Sequence, residues 1–333
     1  MKMDLKILHM PKTRTRHEPV IAGQESVLVA VIAGLWIIMG LATPTFVSPE
    51  SVFAILYSVV PIAIMALAMT PIMCTGGIDV SVGSSMAVCM AVVGQLLVTY
   101  NIPALLAVFV SVAVGAALGA INGLIIAFGR VPAMVATFGT LNLFRYIALQ
   151  VFGDKQISGV PDTLRIIGGD LNSSVLGIPN ALLLAMLIGL AVWFYMRQCP
   201  TGRHIYAIGD DSHAAYLAGI KVRRRVFELY VASGIAVGIA AVVSIGTGGF
   251  IQQNVGFGLE MSVIAACVIG GTSVLGGSGT VLGSFLGAVL VGSVQAAVTH
   301  LHLPNQLTLL FVGLVIILAV GIDLLRQQRR NKR

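Results

Sequence analysis

The residues best able to do chemistry in this chain are few. Gly76-Gly77-Ile78-Asp79-Val80-Ser81-Val82-Gly83-Ser84 puts three glycines, one carboxylate and two hydroxyls into nine positions. Its glycines allow unusual dihedrals or close backbone approach. Asp79 or Ser81 can cap a helix that follows. No Lys-Ser or Lys-Thr follows the glycines, so this is not a phosphate loop. A second stretch, Gly270-Gly271-Thr272-Ser273-Val274-Leu275-Gly276-Gly277-Ser278, agrees with the first at five of nine positions. That match fits a parallel internal repeat, a device transporters use to enclose a solute path. Glycine-rich composition alone also yields such a match.

No G-x-x-x-x-G-K-[ST], HExxH or G-x-S-x-G occurs, so the chain shows no means of hydrolysing ATP and no catalytic constellation. It reads as a non-enzyme. The cysteines Cys74, Cys89, Cys199 and Cys267 are dispersed and form no metal-ligand pair, and the six histidines fall in predicted loops or tails. Neither a metal nor a cofactor is expected on the chain itself. Asn122, Asn142, Arg145 and Gln150 lie inside apolar segments, as do Gln95 and Gln295. Amides there can handle a neutral, hydroxyl-rich solute along a translocation path, or bond helix to helix. Arg145 is costly in lipid unless it snorkels or faces the bundle interior or water. Glu228, Glu260 and Asp323 fall near segment ends. That is thin material for an ion-coupled secondary carrier, the runner-up reading; a passive facilitator of neutral solutes is a further alternative.

Elements that position these residues must sit in lipid. The 333 residues are 57% hydrophobic and 10% charged, with a mean hydropathy of +0.96. Soluble domains average about 25% charged residues, so charge cannot cover this surface. The fold class is all-α, a polytopic helical bundle; β-barrel alternation is absent. Ten apolar segments are expected: 26–42, 52–74, 80–99, 103–128, 131–152, 178–197, 226–248, 258–275, 279–300 and 305–325. The Gly- and Ser-rich segments 80–99 and 258–275 are candidates for broken or re-entrant helices. The first apolar stretch has no small-residue cleavage site, so no removable signal peptide is expected.

The Lys and Arg residues support this count. Five precede residue 26, Arg130 sits in a tight turn, six lie at 197–225 and five end the chain. With ten spans and both termini cytoplasmic, all of these fall inside, as the positive-inside rule demands. Lys155 and Arg165 fall outside, and Arg145 lies within a segment. The net charge of +7 therefore belongs to membrane topology and not to nucleic acid. The expected organisation is a cytoplasmic tail at 1–25, a membrane domain at 26–325 and a basic cytoplasmic tail at 326–333. The external loop 153–177 is a small cap that meets a partner, or a solvated connector.

The basic loop 198–225 carries a short amphipathic segment. Asp211 or Ser212 can act as N-cap, Ala214, Ala215, Leu217 and Ala218 are helix formers, and Gly219 can end the helix. Its apolar side, Ala214, Ala215 and Ala218, is small enough for another protein's groove to close around it, with Asp210 and Asp211 at the rim. A helix lying on the membrane surface would want larger apolar groups.

Four blocks then carry a family resemblance. They are 76–83 (GGIDVSVG), Asn122-Gly-Leu-Ile with 131–141 (VPAMVATFGTL), 201–209 (TGRHIYAIG) running on to Ala214-Ala215, Gly219-Ile220 and Val222, and 264–279 (IAACVIGGTSVLGGSG). Over about residues 26–325 the chain resembles the permease subunits of bacterial ABC importers for monosaccharides, of the ribose, xylose, rhamnose and autoinducer-2 type. The resemblance implies a multi-pass protein of the bacterial inner membrane. It implies a second permease subunit, identical or related, cytoplasmic ATPase subunits that carry ATP and Mg, and a periplasmic or extracellular solute-binding protein. It also implies that the third block is a coupling helix seated in a cleft of the ATPase, with Gly209, Asp210, Asp211, Ala214, Ala215 and Gly219 as its residues. The family commonly has Gly-Asn after the glycine of that block, where this chain has Asp210-Asp211. The change keeps the cap and adds negative charge.

Overall fold

A computed structural model describes residues 23–153, 156–164, 174–175, 177–248 and 250–304, together with 307, 308, 310 and 313. The two tails, much of the external loop and most of the segment expected at 305–325 lie outside the described residues. Among the described residues the helices are α1 (Gly23–Ala42), α2 (Pro49–Cys74), α3 (Val82–Val98), α4 (Ala104–Ala127), α5 (Ala133–Phe152), α6 (Asn180–Gln198), α7 (Pro200–Asp210), α8 (Ser212–Leu217), α9 (Val222–Gly248), α10 (Leu259–Ile269) and α11 (Val281–His300). Short 3-10 turns sit at Pro44–Val47 and Asp162–Leu164.

Nine of these helices fall on the first nine expected segments. Seven of them (α1, α2, α4, α5, α6, α9 and α11) are long and apolar enough to cross a membrane. The other two, α3 with 17 residues and α10 with 11, are the glycine-rich segments expected to be broken. Of the ten expected segments, seven form helices of spanning length and two form shorter helices among the described residues; most of the tenth lies outside them. Glycine stops α10 short: residues 252–257, on its N-terminal side, are not helical. α2 and α9 are the most buried spans, and α1 and α6 are the most peripheral. Large apolar side chains on the periphery, such as Ile37, Phe109 and Leu190, are exposed, as lipid permits.

The tightest packing is between α4 and α9. A Cβ on Gly115 would overlap the carbonyl oxygen of Gly234, and one on Gly234 would overlap that of Gly115. Gly119 meets the Tyr230 carbonyl and Gly238 meets that of Ser111 in the same way. Ser111 Oγ donates to the Gly238 oxygen at 2.8 Å. This is small-residue packing at four-residue spacing, which lets two helix backbones touch in lipid. The spacing is plain in the sequence.

The two glycine-rich stretches do share a turn, displaced by one residue from the sequence match. Gly76 (φ 80°) bonds to the Met73 oxygen, and Gly77 N–H bonds to that of Ile72. Gly271 (φ 89°) bonds to Val268 O, and Thr272 N–H to Cys267 O. Both are Schellman closures, with glycine in the left-handed position. The structural partner of Gly76 is thus Gly271, not Gly270, which is the last helical-side residue of α10. Among the described residues, four residue pairs form sheet: β1 (Ile157–Ser158) pairs with β4 (Phe250–Ile251), and β2 (Ser174–Val175) with β3 (Ile178–Pro179).

Placing a branched side chain in the α4–α9 seam should pry it apart. Gly115→Val or Gly234→Val is expected to cost about 1–3 kcal/mol through overpacking. Gly139→Ala, whose added Cβ meets nothing within 4 Å, should be neutral. Thermal unfolding of the three variants in detergent compares them directly.

Candidate functional site

The loop between α6 and α9 folds into two helices. α7 turns its Gly202, Ile205 and Ile208 inward. Ile205 packs with Leu67, Ile72 and Cys74 of α2, Met196 of α6, and Leu229 and Tyr230 of α9. Gly202 rests directly on the Tyr195 carbonyl. Tyr206 donates from its hydroxyl to the Gly279 oxygen at 3.2 Å; burial pushes its pKa up to about 12, so the phenol keeps that proton at every physiological pH.

At the end of α7 three glycine segments converge. A Cβ on Gly209 would overlap the Cys74 carbonyl, the last residue of α2, and would come within 2.5 Å of the Gly277 amide nitrogen. Gly277 N–H itself bonds to Cys74 O at 2.9 Å. Gly276 lies against Gly209 and the Gly76 nitrogen, and Gly76 against the Leu275 carbonyl. The α7–α8 handle therefore sits on both glycine turns at once. Each component was singled out in sequence, apart from Gly276 and Gly277 as contacts; their meeting in space was not legible there.

α8 has the expected cap. Asp211 Oδ1 accepts from the His213 and Ala214 backbone N–H groups at 2.8 and 3.0 Å, and Gly219 (φ 84°) follows the helix. The apolar face is not the expected one. Ala215 is 4% exposed and packs inside the chain; it cannot be gripped from outside. Ala214 and Ala218 are exposed, but the large outward groups are Tyr216 and Leu217, 67% and 72% exposed. Six residues make less than two turns, so one alanine faces in while its successors face out. Beside α8 lies a cavity of about 690 Å³ lined by Phe128, Ser212, His213, Tyr216, Lys221, Val222, Arg223 and Arg224. Arg224 and Arg225 both bond Glu228.

The first glycine-rich element is a buried polar network. Asp79 Oδ1 accepts from the Ser81 N–H and hydroxyl, at 2.9 and 2.6 Å. Asn122 Nδ2 donates to Ser81 Oγ and its Oδ1 accepts from Thr140. Thr137 and Tyr230 donate to the Ile78 carbonyl. Ser81 holds the N-cap position of α3, but its side chain makes no capping bond; Asp79 closes a local turn instead. Asn122, expected on a translocation path, has both ends of its amide committed here. Asn142 bonds within its own helix to Phe138 O, and Gln150 is exposed. Arg145 donates to the Val255 carbonyl at 2.6 Å and interacts electrostatically with Glu260. Gly83 lies against Gly256 and Glu260, whereas Gly270 packs on Gly283 of α11. Among the described residues no group of three His, Cys, Asp or Glu could hold a metal.

Comparison with known proteins assigns this arrangement. The family described as "Branched-chain amino acid transport system / permease component" matches residues 51–320. The chain belongs to this permease family. It is similar to the autoinducer 2 import system permease protein LsrC of Enterobacter sp. (strain 638), 35% identical over 92% of this chain and 90% of the relative. The ribose import permease protein RbsC of Escherichia coli (strain K12) is 32% identical over 89% and 90%. The fructose import permease protein FrcC of Rhizobium meliloti is 32% identical over 89% and 83%. No solved structure matches. With its seven span-length helices, the chain is a multi-pass ABC-transporter permease of the plasma membrane.

Hydrogen bonds from the Ala214 and His213 amides hold the Asp211 carboxylate below its usual range. They need the ionised form, so the cap is complete above the unfolded value of roughly 3.9. It is lost as pH falls through the lowered folded value. Asp211→Asn should keep most of the cap and make α8 insensitive to acid; Asp211→Ala should fray it at any pH. Hydrogen exchange at Ala214 and Ala215 reads both effects.

Proposed function

We propose that this permease forms the translocation path for a monosaccharide or sugar-like solute, and that its α7–α8 handle couples the path to ATPase subunits. The observation that carries the reading is the seating of Gly209 on both the α2 and α10–α11 turns. A force applied at α8 reaches two separate parts of the bundle without passing through a flexible linker. Tyr216 and Leu217 are the anchors a partner would bury, and the basic cavity beside them offers Lys221, Arg223 and Arg224 to acidic groups.

ATP and Mg reside on the partner. Closure of an ATPase pair pushes the handles of two permease subunits, identical or related, and the path switches from outward to inward access. A solute-binding protein delivers the solute at the opposite face, around the external loop 153–177. Both termini and the handle are cytoplasmic. The relatives named for ribose, fructose and autoinducer 2 support a sugar-like cargo over the amino-acid wording of the family description. They support an ATP-driven importer over an ion-coupled carrier.

Truncating a docking anchor costs about 2 kcal/mol or more of binding. Leu217→Asp and Tyr216→Ala should therefore abolish solute-stimulated ATP hydrolysis in the assembled importer while membrane insertion is unchanged. Normal coupling in both variants would sink the docking reading. For topology, a cysteine at Gln156 should react with an impermeant thiol reagent from outside, and one at His213 should not.

A further inference from the structure

The stretch between β4 and α10 is non-helical and carries exposed residues. Ile251 packs on Gly94 of α3, whereas Gly256 packs on Gly83 of the same helix. Eleven residues of α3 separate those contacts, about 16 Å of rise. From Gly256 the chain enters α10, whose 11 residues add about another 16 Å. Together they cover a bilayer core of about 30 Å, and residues 252–257 are its non-helical half. Arg145 lies seven residues before the end of α5 at Phe152, about 10 Å down, and bonds to Val255 in that half.

Gln252, Asn254 and Phe257 are exposed here, Phe257 at 77%. Arg145 is half-buried behind them, and the buried Glu260 Oε2 has no hydrogen-bond partner. Non-helical backbone at membrane depth survives only inside protein or along a water-filled cavity. An exposed amide and a half-buried guanidinium exclude lipid as the neighbour. The surface of α6 around Leu190 is the contrast: its groove is lined by Leu183, Met186, Leu187 and Trp193, a surface lipid accepts.

We propose that Asn254 and Phe257 line the solute path at mid-membrane and contact a neutral polyhydroxy solute. This rests on the permease reading above. The Asn254 amide can both donate to and accept from hydroxyls, and the Phe257 ring offers an apolar face to C–H groups. Arg145 is a positioning residue that holds the segment through the Val255 carbonyl. α10 joins this face to the turn on which Gly209 sits, so the lining moves when the handle is pushed.

The experiment uses the assembled importer in liposomes, with Cys199→Ser removing the one cysteine that is not buried. Asn254→Cys, Phe257→Cys and Leu190→Cys are treated with an impermeant methanethiosulfonate reagent, with and without a non-hydrolysable ATP analogue. The first two should react at least about ten-fold faster than the lipid-facing third, and the analogue should change their rates. Arg145→Gln should remove that nucleotide dependence and Arg145→Lys restore it. Rates at 254 and 257 no faster than at 190, or unaffected by the analogue, overturn the proposal. If Leu217→Asp still uncouples ATP hydrolysis in that case, the docking reading stands and only the lining falls.

Discussion

Lipid withholds the force that packs soluble proteins, and the contact that replaces it here is backbone against backbone at glycine. Without a hydrophobic drive between helices, association depends on close van der Waals fit and internal polar bonds. The α4–α9 seam is the plainest case, with Gly115, Gly119, Gly234 and Gly238 each touching the facing main chain. The same contact joins α10 to α11 at Gly270 and Gly283, and the handle to the bundle at Gly209. Remove any of these and a side chain must enter space that another backbone occupies.

Such close approach also makes the irregular loops possible. The chain at 77–81 leaves helical geometry between α2 and α3, which would strand its polar groups. They are taken up instead by Asp79 within the stretch and by Asn122 of α4, Thr137 of α5 and Tyr230 of α9, with Thr140 of α5 bonding Asn122. A second set, Thr70, Thr272 and Ser284, bonds at the α10–α11 turn. Buried networks of this kind are sound only when every member is satisfied, and each hydroxyl in these two sets has a partner.

The periodic and punctuating features were legible in the sequence. Long apolar runs placed nine helices, and Asp211 and Gly219 bounded α8 correctly, because caps and stops are local chemistry. Gly and Ser content set the segments of α3 and α10 apart as irregular, and both form helices shorter than a span. What was not legible depends on distance in space. Nothing local says that Ala215 faces inward while Tyr216 and Leu217 face out, since the answer lies in α7 and α9. The turn register was misread by one residue because identity counts glycines, whereas the fold counts the carbonyls they close on. Glu260 does fall near a helix end, as its place in the segment implies; that this end lies beside Gly83 of α3 depends on packing no local pattern carries. The four-residue glycine spacing of α4 and α9 was visible.

The two broken helices are not held alike, and that difference bears on which of them can move. α3 begins in the network of Asp79, Ser81 and Asn122, tied to α4 and α5 by side-chain bonds. α10 begins at Gly258, a left-handed N-cap with no side-chain capping bond, and the segment before it is held by Arg145 through the Val255 carbonyl, by Gln253 through the Gly153 carbonyl and by Gly256 against Gly83. At its other end α10 closes on the turn that carries Gly276 and Gly277, the pair in contact with Gly209. A helix of about 16 Å is stiff on that scale. Displacement of the handle is therefore delivered along α10 to the non-helical segment before it. Among the described residues, that short helix lies between the exposed polar face at its start and the loop that carries Gly276 and Gly277 to Gly209.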